Sequence, residues 1–235
     1  MVYGAVFICS MVSIERRNVT RVINARAISV LLVDDHEIVR VGFRRLIETT
    51  SDIKVVAEAS SGEEAYELVH DFKPDITVMD INMPGIGGLE AIGRICKRNP
   101  KDRVIALTVH ETEPFPTRVL TAGAKAYLSK RCVPQELIEA IRTVHAGGTF
   151  ITNRVMREMS KTPGTQETAI SRLTAREFQV FSMLAEGRTA VEIGEAMSLS
   201  HKTIHSHRAN VMKKLKLETS ANIVQFAMLQ GILQG

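Results

Sequence analysis

Between Ile28 and Ser129, five short, mostly apolar runs of Val, Ile, Leu and Ala alternate with amphipathic stretches. ISVLLV, IKVVAEA, DITVMD, RVIALTV and KAYLS read as strands of a buried parallel sheet. HEIVRVGFRRLIET, GEEAYELVHDF, GLEAIGRICKRN, PFPTRVLTAG and PQELIEAIRTVHAG place their apolar residues at helical spacing. This alternation predicts an α/β domain: a doubly wound, five-stranded parallel sheet with helices on both faces. Right-handed crossovers limit its topology. Gly62 and Gly88 mark turns into helices, and Pro134 suits a helix start, where its missing N–H costs little.

Polar residues stand at the ends of these runs. Asp34-Asp35 follow VLLV, Asp80 closes ITVMD, Thr108 lies in IALTVH and Lys130 closes AYLSK. In an open α/β sheet the carboxyl ends of the strands form one edge, where such folds carry their chemistry. Three carboxylates sharing that edge require a cation or a raised pKa. Mg²⁺, which takes hard oxygen ligands, fits two or three carboxylates plus a backbone carbonyl. A carboxylate beside it can attack a phosphoryl group to form an acyl phosphate, with Lys130 stabilising the developing charge. The Thr108 hydroxyl is placed to hydrogen-bond a phosphoryl oxygen. Any one of these residues alone would be an ordinary solvated strand end; five at matching strand ends point to a site.

Gly147-Gly148 ends the last of these helices. TNRVMREMSKTPGTQETAISR, residues 152–172, is polar with a Pro163-Gly164 break, and reads as a short helix and then a flexible linker. From Leu173 onward there is no strand signal. LTAREFQVFSMLAEG opens on a capping box, Thr174 with Glu177, and TAVEIGEAM, HKTIHSHRANVMKKL and SANIVQFAMLQG come after it, with Ser200 as N-cap of the third. The third has Ile204, Val211, Met212 and Leu215 on one face and Lys202, His205, Arg208 and Lys213 on the other. A basic helix after a short helix and a turn is helix-turn-helix geometry, with its front end in the major groove. The expected divisions are an N-terminal extension 1–27, an α/β domain 28–150, a linker 151–170 and a four-helix domain 171–235.

Charge supports that division. Residues 28–150 carry 18 acidic and 15 basic side chains, a balance of −3, whereas 171–235 carry 5 acidic and 8 basic, a balance of +3. Only the second half is suited to a polyanion. Cys9, Cys96 and Cys132 have no metal-type spacing and fit a reducing cytoplasm. Residues 1–14 are uncharged and mostly apolar and the positive charge comes after them, the reverse of a secretory signal, and the stretch is too short to span a bilayer. The extension is expected to be disordered, with a peripheral amphipathic anchor as the alternative.

Residues 28–145 resemble the receiver domain of two-component response regulators, through Asp34-Asp35, DINMPGIGG from Asp80, Thr108 and AYLSK ending at Lys130. The resemblance implies that Asp80 accepts the phosphoryl group. It implies that Asp34 or Asp35, with Asp80 and the main-chain carbonyl of Asn82, holds Mg²⁺. It makes Thr108 and Tyr127 a switch pair, the Tyr127 ring swinging inward as Thr108 moves. Arg131, where many receivers have proline, leaves no proline to enforce a cis peptide after Lys130.

The tail resembles the LuxR/NarL-type DNA-binding domain, through LTAREFQV, EGRTAVEIGEAM, LSHKTIHSHRANVMKKL and AMLQGIL. By that resemblance Lys202, Thr203, His207 and Lys214 contact the DNA backbone or fix the helix, while His205, Ser206 and Ala209 occupy base-reading positions. These three are weak direct readers. The last helix also supplies a dimer contact in that family.

Together the two resemblances describe a NarL/FixJ-type response regulator, and HETEPFPTRVLTAGAKAYLSK resembles its GacA/UvrY/SirA branch. They imply a cytoplasmic transcription regulator, neither an enzyme nor a membrane protein. A hybrid sensor histidine kinase of the GacS/BarA kind would phosphorylate it, and it would bind promoter DNA as a homodimer to activate small regulatory RNA genes or genes of virulence and metabolism. The unphosphorylated receiver would cover the recognition helix. An aspartate-nucleophile phosphatase would carry a second acid two residues after Asp80, and that position is Asn82. A phosphorylation-independent DNA binder, with the receiver only a dimerisation module, sits poorly with the intact set of five polar residues.

Overall fold

The structure is a computed structural model and describes residues 26–161 and 169–233. The predicted N-terminal extension lies almost wholly outside the described residues. β1 (Ile28–Val33), β2 (Ile53–Ala59), β3 (Ile76–Asp80), β4 (Val104–Thr108) and β5 (Ala126–Ser129) form the predicted parallel sheet. The strand order is β2-β1-β3-β4-β5, so the Asp34-Asp35 strand and the Asp80 strand are neighbours.

Alternation along each strand decides which helix covers which face. Ile28, Val30 and Leu32 pack with Val78, Ile105 and Leu128 against α1 (Glu37–Ile47) and α5 (Pro134–His145), through Ile47, Leu137, Ile141 and Val144. Leu31, Val33, Met79, Ala106 and Tyr127 face the other way, toward α2 (Gly62–Phe72), α3 (Gly87–Arg98) and α4 (Phe115–Thr121). Burial on both faces is why the runs of β1, β3, β4 and β5 lack a polar register, whereas the edge strand β2 keeps Lys54 exposed.

The sheet has six strands rather than the predicted five. β6 (Phe150–Ile151) pairs parallel with β5, opposite Ala126 and Tyr127. Two residues are too few to show a periodicity, and Phe150 N–H donating to the Lys125 carbonyl starts the pairing. α6 (Asn153–Lys161) fills the front of the expected linker. The cis peptide lies at Glu113–Pro114, before α4.

After a 3-10 turn at Ala169–Arg172 come α7 (Ala175–Ala185), α8 (Ala190–Met197), α9 (His201–Leu215) and α10 (Ser220–Leu229). Capping boxes start α7, α8 and α10, and the Ser200 side chain accepts from Thr203 N–H at the head of α9. Each such cap contributes about 1 kcal/mol. Val180, Ile193, Met197 and Ile204 close the α7–α8–α9 corner. The remaining core of this half, from Phe181 to Ile223 and Ala227, runs on into the α2–α3–α4 side of the sheet domain. No helix among the described residues is long and apolar enough to cross a membrane.

Candidate functional site

β1 and β3 end side by side and bring Asp34 and Asp80 together, each with a side chain only 2% exposed. Lys130, just beyond β5, reaches back so that its Nζ lies 2.5 Å from Asp34 Oδ2 and 2.7 Å from Asp80 Oδ2. The Asp80 contact is a hydrogen bond, whereas Asp34 Oδ2 makes an ion pair at a geometry that gives none. Asp80 Oδ1 accepts from Asn82 N–H at 3.0 Å. Asp34 Oδ1 accepts from His36 N–H at 2.9 Å, and the His36 Nδ1 lies 3.2 Å from it. Asp35 Oδ1 is buried without a hydrogen bond, although His36 Nδ1 is 3.0 Å away.

The charges do not cancel, since one ammonium serves two buried carboxylates with a third beside them. Burial raises the Asp80 carboxyl above its ordinary value, the Lys130 and Asn82 hydrogen bonds pull against that, and Asp34 adds to it. Burial alone would lower Lys130, but Asp34 and Asp80 outweigh it and hold the ammonium above its ordinary value. A net negative pocket of converging carboxylates is suited to a hard cation. Asp34, Asp35, His36 and Asp80 each offer a ligand atom, all within 4.8 Å of one another.

The turn after β3 needs a glycine for close approach. A Cβ on Gly88 would sit 1.9 Å from the Asp80 carbonyl oxygen, and Gly88 N–H donates to the Ile81 carbonyl.

Thr108 ends β4, fully buried, and its Oγ1 accepts from His110 N–H at 3.1 Å. Lys130 N–H donates to the Thr108 carbonyl at 2.7 Å, which ties the two site residues through the backbone. Tyr127 is fully buried and its hydroxyl donates to the His110 carbonyl at 2.7 Å, so the ring already occupies the inward position. His110, which sequence reasoning passed over, joins these groups. Burial pushes its imidazole pKa down to about 4, and its Nε2 lies 2.7 Å from Asn82 Nδ2. A neutral ring therefore accepts from that amide at neutral pH. Glu111 was also missed; it is buried, accepting from Ser129 Oγ and pairing with Arg154 of α6, each at 2.6 Å.

On α9, Lys202, His205, Ser206 and Ala209 are exposed, whereas Thr203 and His207 are half-buried. The Ser206 hydroxyl donates to the Lys202 carbonyl. Lys214 turns inward and donates to Glu177 Oε2 at 2.6 Å, so it locks α9 to α7. Arg208, read from sequence as part of the polar face, donates instead to Ser220 Oγ and holds the start of α10.

The expectation that the sheet domain covers α9 is corrected. The sheet domain docks on α7, α8 and the chain's C-terminal end. Gly85 N–H donates to the Ala196 carbonyl, Arg176 donates to the Gly85 carbonyl, and Thr112 Oγ1 donates to the Gly231 carbonyl. Apolar residues of the sheet domain meet α7, and the outer face of α9 stays open because its buried face is already filled by α7, α8 and α10. A cavity of about 370 Å³ lies at this junction, lined in part by Asn82, His110, Arg118, Phe178 and Leu233.

Comparison with known proteins matches these two halves. Residues 30–142 match the response regulator receiver domain, and residues 171–227 match the luxR family of bacterial regulatory proteins. The chain is 40% identical to response regulator UvrY of Escherichia coli (strain K12) over 208 residues, covering 87% of this chain and 95% of that one. It is 34% identical to response regulator GacA of Pseudomonas aeruginosa (strain PAO1) over 209 residues, 88% of this chain and 98% of that one. A solved structure of two RcsB dimers bound to two parallel DNAs superposes with a TM-score of 0.56 at 26% identity, over 86% of this chain and 98% of that one. With its receiver half, its luxR-type helical half and UvrY and GacA among its relatives, the chain belongs to the two-component response regulators with a LuxR-type DNA-binding domain.

Proposed function

We propose that this regulator is switched by phosphorylation of Asp80 and acts on promoter DNA through α9. The observation that carries the reading is the Lys130 ammonium shared between Asp34 and Asp80 at the ends of adjacent strands. In the transfer, the Asp80 carboxylate attacks phosphorus as the P–N bond of a donor phosphohistidine breaks, and the released imidazole nitrogen takes a proton. Lys130 balances charge on the phosphoryl oxygens, and the Thr108 hydroxyl donates to one of them. Asp34, Asp35, Asp80 and the Asn82 carbonyl are the groups that would hold Mg²⁺, which when bound neutralises phosphoryl charge. The excess of converging carboxylates over the single Lys130 ammonium is consistent with that role.

Residues 28–150 serve as the receiver and 171–235 as the DNA-binding domain, with 151–170 as the connection. Lys202, Thr203 and His207 would meet phosphates, His205, Ser206 and Ala209 would face base edges, and Lys214 would set the helix in place. Because the outer face of α9 is open, phosphorylation does not act by unmasking it. It acts on the docking of the sheet domain against α7, α8 and the end of α10, and frees the C-terminal half to pair on two half-sites. The donor is a hybrid sensor histidine kinase of the GacS/BarA kind, and the targets are small regulatory RNA genes in a cytoplasmic circuit; the likeness to UvrY and GacA supports both.

Labelling from acetyl phosphate with Mg²⁺ tests this directly, with dimer formation monitored by light scattering. Acid-stable, base-labile label that vanishes in Asp80→Asn, with dimers only in labelled samples, is the expected result. Unlabelled wild type would sink the phosphorylation reading and leave a constitutive DNA binder.

A further inference from the structure

Glu111 is a carboxylate buried where the loop after β4, the end of β5 and α6 come together. It is 8% exposed and gives one oxygen to each of two partners. Oε1 accepts from the Ser129 hydroxyl at 2.6 Å, and Oε2 pairs with Arg154 Nε of α6, also at 2.6 Å. A buried carboxylate is costly unless it is both paired and hydrogen-bonded, so each contact supports the other. Arg154 is brought there by its neighbour in α6, Val155, which is fully buried in the core of the sheet domain.

What Glu111 holds is the strand end that carries Lys130. While donating to Glu111, the Ser129 hydroxyl accepts from Arg131 N–H at 3.1 Å, and the Ser129 carbonyl accepts from Cys132 N–H at 2.9 Å. Between them, Lys130 N–H donates to the Thr108 carbonyl at 2.7 Å. Ser129 therefore fixes the main chain on either side of Lys130. Its hydroxyl is a rotor until an acceptor sets its direction, and that acceptor is Glu111. From this base the Lys130 side chain spans to Asp34 and Asp80. A lysine stem is flexible, so where its ammonium stands depends on how firmly its backbone is held. We propose that Glu111 is a positioning residue for Lys130, acting through Ser129, and that Arg154 of α6 holds Glu111 in place. The inference rests on the reading of Asp80 as the phosphoryl acceptor and adds to it a contribution from outside the acidic pocket. α6 then serves the chemistry of the sheet domain as well as joining it to the helical half.

The test is the rate at which the full-length protein takes label from acetyl phosphate with Mg²⁺. The Arg154 side chain is 65% exposed and stands outside the acidic pocket, so Arg154→Ala leaves the pocket's own residues in place. It should nevertheless slow labelling about tenfold. Arg154→Lys, which keeps a cation for the single Oε2 contact, should recover most of the rate. Ser129→Ala should slow labelling to a similar degree. Because both changes act through Glu111, the double variant should be no slower than the slower single one. Rates unchanged in Arg154→Ala and Ser129→Ala would overturn the proposal and leave Glu111 as an anchor for α6 alone. Losses that multiply in the double variant would overturn it too, since they would come by separate routes. Wild type that takes no label would remove the Asp80 reading, and this inference with it.

Discussion

The Arg118 guanidinium lies 4.4 Å over the ring of Phe178, a cation of the receiver stacked on an aromatic of the DNA-binding half. The same side chain donates to the Ile170 carbonyl at 2.9 Å and the Leu173 carbonyl at 2.7 Å. Burial lowers its pKa to about 10, which still leaves it charged at neutral pH.

Arg118 is therefore the side chain whose loss should open the molecule. A stacked cation is worth about 0.5–2 kcal/mol, and a hydrogen bond from a charged donor about 1.5–3. We predict that Arg118→Ala costs the docked arrangement about 3 kcal/mol or more and raises the radius of gyration in small-angle X-ray scattering. Arg118→Lys should not restore it, because an ammonium cannot fork to two carbonyls and stack at once. A scattering profile unchanged by Arg118→Ala would place the docking energy elsewhere.

Glu177 links helix capping to the placement of α9. Burial works to raise its carboxyl, but Lys214 and the Thr174 N–H outweigh it and hold it below the ordinary value of 4.5. A depressed folded-state pKa gives stability that is present above 4.5 and is lost as pH falls through the folded value. Glu177→Gln is predicted to destabilise the helical half by about 2 kcal/mol at pH 7. That difference should shrink as pH drops below 4.5, read from thermal melts recorded by circular dichroism. A gap independent of pH would show that shape, not charge, is what Glu177 supplies.

Two glycines in α3 should respond with opposite signs. Gly88 has no room, because its Cβ would overlap the Asp80 carbonyl, and Gly88→Ala should cost about 3 kcal/mol or more and disturb the acidic pocket. Gly93 has nothing within 4 Å of its would-be Cβ, so Gly93→Ala should gain about 0.5–1 kcal/mol from helix propensity alone. Denaturant midpoints of the two variants, compared with wild type, check both signs.

Tyr127→Phe removes only the hydroxyl that donates to the His110 carbonyl, and should cost about 1 kcal/mol. Tyr127→Ala empties a fully buried ring position, and should cost about 3–5 kcal/mol. Denaturant midpoints separate the two. Equal losses would mean that the hydroxyl, rather than ring packing, is what fixes this position.

The acidic edge was legible because Asp34, Asp35, Asp80, Thr108 and Lys130 interrupt or close apolar runs, and a parallel sheet aligns the ends of such runs. β6 was not legible, since a pair of residues carries no period. His110 and Glu111 were missed because the sequence shows only polar residues after a strand. Their partners Asn82, Ser129 and Arg154 come from other segments, brought close only by the fold. The docking was hidden for a different reason. Gly85 to Ala196 and Arg176 to Gly85 are bonds to main-chain atoms, which leave no residue pattern to read. Arg208 was read as part of the polar face of α9 because periodicity assigns it a face without saying what lies beside that face.

The Gly85 peptide is held by α7 and α8 on the same short loop that carries Asn82 beside Asp80. A covalent change at Asp80 and an undocking at Gly85 are therefore two perturbations of one loop, and thermodynamic linkage makes them reciprocal. Whatever factor by which acylation of Asp80 favours undocking, undocking favours acylation by the same factor. Under the proposed function, a promoter that accepted only the undocked form would act as an effector of the receiver, and occupancy of the DNA would feed back on how far a kinase signal charges Asp80.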